Sequence, residues 1–232
     1  MVNEERRLSQ AGLNTFLAKM YAFMGAAVGV SAVVAFILNN YYQYEMLTFF
    51  ATHRWVMWAL FIAQLAIAWT TSLRIDRTPA MTAVGLFGFA AIEGIFFASI
   101  LTLYTGQDIT MAFVAAAADF IVLALFGLNT KKSLAGVGRQ AMAALIALII
   151  VSVINLFLQS TMIVFVFSII GVVIFSLLTA WDSQRMKALY MANAGQVNVT
   201  NLALIGAFQL YLDFINLFLQ LLQIFGMGGD RK

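Results

Sequence analysis

The sequence predicts an all-α integral membrane protein with seven transmembrane helices, and three observations predict it. Apolar residues make up 63% of the 232-residue chain and charged ones only 10%, where ordinary soluble domains carry about 25% charged residues. Seven apolar runs each approach the length of about 20 residues that crosses a bilayer core. Lysine and arginine gather in alternate connections between those runs, as they do when the charge sets the topology.

The first run, 20–38, follows a polar segment, MVNEERRLSQAGLNTFLAKM. No small-residue cleavage site follows it, so it reads as a retained segment rather than a removable signal peptide. Tyr41, Tyr42 and Tyr44 close this run, and Trp55 and Trp58 open the second, 55–73; amphipathic rings at these positions form a belt at the membrane interface. The one proline, Pro79, sits in the next turn, where a missing N–H is tolerated. The third and fourth runs, 80–103 and 110–128, carry Gly85, Gly88 and many alanines, residues that let helices approach closely. The fifth, sixth and seventh runs cover 140–158, 161–181 and 201–225, and Gly226, Gly228 and Gly229 form a tail. The connections are short, without linker or repeat, so residues 1–232 read as a single domain.

Orientation follows from the thirteen basic residues. Arg6, Arg7, Lys19, Arg74, Arg77, Lys131, Lys132, Arg139, Arg185 and Lys187 fall on one side, and Arg54, Arg231 and Lys232 on the other. The N-terminus is therefore expected in the cytoplasm and the C-terminus outside, with the seventh helix central. The mean hydropathy is +0.93 and the isoelectric point about 9.3. Because the basic residues are spread over short loops, the charge reads as topological, not as a nucleic-acid surface. Cysteine is absent and His53 is the single histidine, which leaves little material for thiolate or zinc sites or for Ser-His and Cys-His catalysis.

The polar residues inside the runs carry the functional signal. Gln209, Asp213, Asn216, Gln220 and Gln223 are spaced 4, 3, 4 and 3, one stripe on one helical face about 21 Å long. A carboxylate such as Asp213 at the centre of LYLDFINLFLQLL costs about 2.5–3.5 kcal/mol in lipid, so the stripe must face protein or water. In the sixth run Ser176, Thr179 and Asp182 recur every third residue, again on one face. Counted from the turn near Gly195, Asp182 and Asp213 come nearly level across a helical hairpin; counted from the outer ends, they need a stagger or a tilt to meet. Glu93 and Asp119 add acids near span centres, and Arg74, at the inner end of the second run, is the one basic candidate beside them. Unpaired carboxylates in a low dielectric either keep a proton or hold a cation. For the amides of the seventh run, interhelical hydrogen bonding is an alternative to lining an ion path.

WDSQRMK after IIGVVIFSL, followed by LYLDFINLFLQLL, resembles the Bax inhibitor-1 family of transmembrane proteins. The basic loop NTKKSLAG and the arginine ending the second run agree with it, so the likeness covers nearly the whole chain. The resemblance implies a pH-sensitive calcium leak channel in the cell or inner membrane, with calcium and protons as the species handled and no cofactor. It also implies that Asp182 and Asp213 share a proton as sensor and gate, with Arg74 as alternate partner for Asp182. The pair would be a transient calcium contact. Gln209, Asn216, Gln220, Glu93 and Asp119 are then the candidates for the ion path, where oxygen ligands suit a hard cation.

Other readings have their own signatures. A retinal receptor needs a lysine in the seventh span, and none is there. A coupled transporter would show paired broken helices, and an aspartyl protease a glycine-rich context, so no enzyme is expected. The rival reading is a regulatory protein that transports nothing and acts through partner binding; the sequence names no protein partner.

Overall fold

A computed structural model of the chain describes residues 2–73, 78–193 and 198–229, and all regular structure among these residues is helical. The helices are α1 (Val2–Tyr41), α2 (Gln43–Thr52), α3 (Arg54–Leu73), α4 (Pro79–Ile100), α5 (Gly106–Asn129), α6 (Ala135–Leu158), α7 (Thr161–Ala192) and α8 (Val199–Gly229), with a 3-10 turn at Leu101–Leu103. Pro79 is the first residue of α4 and Thr78 caps it, its hydroxyl accepting from the Met81 N–H at 3.4 Å. There the proline ring fits the helix and its absent N–H is no loss. A reciprocal cap of Thr105 and Asp108 opens α5.

Six of the described helices are by themselves long and apolar enough to cross a membrane; α2 and α3 supply a seventh crossing only if the pair, bent by 96°, is counted as one span. The seven-run expectation is thus reproduced in six places. In the remaining one, α3 opens on Arg54 and carries Gln64 at its middle, which dilutes its apolar character. The segment read as an interfacial belt between Tyr41 and Trp55 contains the short helix α2.

The chain divides into two compact units: Met1–Leu103 with Tyr190–Tyr211, and Tyr104–Leu189 with Leu212–Lys232. In the first, α4 buries Leu86, Phe89, Ala90 and Phe97. A side chain at Gly94 would meet the Ser31 backbone oxygen at 2.7 Å, so only glycine allows α1 and α4 to pack this closely. Phe89 lies edge-on to Phe208 and Tyr211, with centroids 5.3 and 6.1 Å apart. In the second unit, a side chain at Gly127 of α5 would run into the backbone of Ala180, and one at Gly138 of α6 into the Trp181 ring. Phe113 and Phe120 pack edge-on against Phe214 at 5.7 and 5.8 Å. The last helix is the most buried of the candidate spans, with 78% of its apolar window covered against 11–33% for the other five.

Candidate functional site

Two long helices bring the paired acids together. Asp182 is the twenty-second residue of α7, and Asp213 lies fourteen residues, about 21 Å, into α8. Their carboxyl groups are within hydrogen-bonding reach of each other, at 7% and 6% exposure. Ionised carboxylates only accept hydrogen bonds, so this contact is a bond only when one group carries a proton. Asp182 Oδ1 and Asp213 Oδ2 are buried without a hydrogen-bond partner. Fully buried Thr179 and Ser183 flank Asp182 in sequence and space on α7.

Among the described residues, one cation stands beside the pair. Arg185 Nη1 is 3.6 Å from Asp182 Oδ1, an ion pair too long for a hydrogen bond. Its guanidinium lies 5.3 Å from the centroid of the Trp181 ring, and its side chain is 44% exposed. Arg185 was not among the residues expected from sequence; its position three residues after Asp182, on one helical face, is the signal that points to it. Arg74, the expected partner, lies outside the described residues. The contacts of Gly127 with Ala180 and of Gly138 with Trp181 place Asp182 level with the end of α5 and the start of α6. At that level the pair is sheltered by protein.

The remaining candidates are dispersed. Glu93 Oε2 accepts from Gln64 Nε2 at 2.7 Å, a partner in α3 that sequence reading missed. Nearby in the same unit, the Tyr211 hydroxyl meets Ser31 Oγ at 2.7 Å, and Ser31 reaches the Ala90 carbonyl at 2.8 Å. Asp119 Oδ2 accepts from Ser176 Oγ at 2.6 Å. Along the stripe, Gln209 Oε1 is buried without a partner, and Asn216 Nδ2 turns back to the Leu212 carbonyl at 2.8 Å. Gln220 lies across Gly171, where an added Cβ would stand 2.7 Å from its Cδ. Gln223 Oε1 accepts from Ser168 Oγ at 2.6 Å. Gln220 and Gln223 also line a cavity of about 230 Å³ with Ser152, Asn155 and Ser168. The stripe is thus part interhelical glue and part cavity wall. Among the described residues no three His, Cys, Asp or Glu side chains gather as a metal site.

The chain as a whole is similar to known proteins. Residues 13–230 fit the family model described as inhibitor of apoptosis-promoting Bax1. The chain belongs to the Bax inhibitor-1 family. Among similar members, YrjE of Lactococcus lactis is 38% identical over 221 residues, covering 95% of this chain and 94% of that protein. The membrane protein SpyM3_0260 of Streptococcus pyogenes is 36% identical over 219 residues, 94% of this chain and 95% of its own. The inner membrane protein YbhL of Escherichia coli is 36% identical over 220 residues, 94% and 93%. This Bax inhibitor-1 family chain is accordingly an integral, multi-pass membrane protein in contact with the bilayer.

Proposed function

We propose that the protein is a pH-sensitive calcium leak channel whose gate is the carboxyl pair Asp182 and Asp213. The observation that carries this reading is the meeting of the two buried carboxyl groups within hydrogen-bonding reach. With one proton between them, a charge-assisted O–H···O⁻ bond ties α7 to α8. Losing that proton turns attraction into repulsion between two charges shielded from water. Asp182 then has a cation to turn to, Arg185 at 3.6 Å, or Arg74 as the family resemblance implies. Breaking a buried ionic contact costs about 3–5 kcal/mol, enough to move a helix equilibrium balanced within that range. The amide and carboxylate oxygens of α8 would carry the ion, since neutral and anionic oxygens suit calcium. The reading needs no catalysis: the protein is a passage, not an enzyme.

The test is calcium entry into liposomes holding only the purified protein and a trapped indicator. The channel reading expects entry above that of protein-free liposomes, varying with pH. A regulatory protein acting through partners expects none at any pH, and that result would replace the proposal.

A further inference from the structure

One end of the second unit collects positive charge that, among the described residues, only buried Asp182 offsets, through its ion pair with Arg185. Lys187 Nζ donates to the Leu128 carbonyl at 2.7 Å, closing the end of α5. Gln184 clasps the following loop from both sides: its Nε2 donates to the Lys132 carbonyl at 2.9 Å, and its Oε1 accepts from the Leu134 N–H at 2.8 Å. Trp181 seats against Gly138, and Arg185 lies over the Trp181 ring. These ties hold the α5–α6 loop and the start of α6 against α7, with Lys131, Lys132, Arg139 and Arg185 all exposed. Residues 127–140 contain no acid, and 181–189 contain only Asp182, which is buried.

The loop joins two spans, so these cations stand at headgroup level. We propose that this end is a binding site for an anionic phospholipid headgroup, with Lys131, Lys132, Arg139 and Arg185 as its cations. Charge complementarity selects this occupant: a pinned basic cluster at the bilayer surface attracts anionic lipid, and an arginine fork grips a phosphate through two N–H donors. Arg185 is the element that links this site to the one above. It lies 3.6 Å from Asp182 yet is 44% exposed, so a phosphate on its outer side competes with Asp182 for it. The coupling rests on the gate proposed above; the lipid site does not.

The test reads binding without flux. A variant keeping Trp181 alone (Trp55→Phe, Trp58→Phe, Trp69→Phe) is reconstituted in phosphatidylcholine with rising fractions of phosphatidylglycerol, one lipid at a time brominated near the headgroup end of its chains. Brominated phosphatidylglycerol is expected to quench Trp181 at lower mole fraction than brominated phosphatidylcholine, with preference falling about fivefold per charge removed in Lys132→Gln and Arg185→Gln. Arg185→Lys should keep most of it, and Arg54→Gln all of it. Equal quenching by both lipids overturns the site, as does an unchanged preference in Lys132→Gln with Arg185→Gln. Protection from quenching by inorganic phosphate in zwitterionic membranes would also overturn it, in favour of a soluble anion site.

Discussion

Asp182 and Asp213 show what a single side chain can be asked to do in a membrane protein. Each is at most 7% exposed, and each has an oxygen without a hydrogen-bond partner. Glu93 solves the same problem differently, by taking a hydrogen bond from buried Gln64. Replacing Gln64 by leucine strands that carboxyl group and should lower stability by about 1–3 kcal/mol. Glu93→Gln, which can still pair with Gln64, should lose less; unfolding in mixed detergent compares the two. Tyr211→Phe removes the hydroxyl that meets Ser31 and should cost about 1 kcal/mol in the same assay. At this scale the acids were legible in the sequence because a charge inside an apolar run announces itself. Their partners were not: Gln64 and Ser31 are ordinary polar residues whose role depends on which helix faces which. Arg185 was overlooked because it follows the apolar run and reads first as a topological charge.

Helices meet here where glycine removes a side chain. A methyl group at Gly127 would collide with Ala180 backbone, which cannot yield, whereas one at Gly171 would meet only the flexible Gln220 side chain. Gly88 has nothing within 4 Å of where a Cβ would stand. The melting temperature should therefore fall sharply for Gly127→Ala, slightly for Gly171→Ala and not at all for Gly88→Ala, where a better helix former replaces glycine. Equal effects at all three positions would show that the close approaches do not govern packing. Most helices were legible because long apolar runs and their caps are local features. The glycine contacts were legible only as a tendency toward close packing, since spacing does not say which partner a small residue admits. The stripe on α8 was readable as a face, but its division between Ser168, the cavity and helix backbone depends on neighbours far away in sequence.

For the whole molecule, composition and charge pattern establish a membrane protein, and the family match agrees. The number of crossings turns on α3, which covers the run 55–73 but counts as a crossing only together with α2, across a bend of 96° that precedes that run. The basic-residue bias expects seven crossings with the N-terminus inside. The chain has no cysteine, so single cysteines report topology without background. With a membrane-impermeant maleimide, Ser133→Cys should react only from the cytoplasmic side and Ser160→Cys and His53→Cys only from the other. Labelling of His53→Cys and Ser133→Cys from the same side would instead mean that α2 and α3 do not cross.

The claim on which the function depends is that two carboxyl groups behave as one titrating unit, and a mutant cycle in calcium flux measures that directly. Flux through the parent, Asp182→Asn, Asp213→Asn and the double variant would be followed across pH in otherwise identical liposomes. A shared proton predicts that either single change abolishes the pH dependence and that the double change adds nothing further. Two partial effects that sum in the double variant, or a single variant with the parent's pH profile, would contradict it.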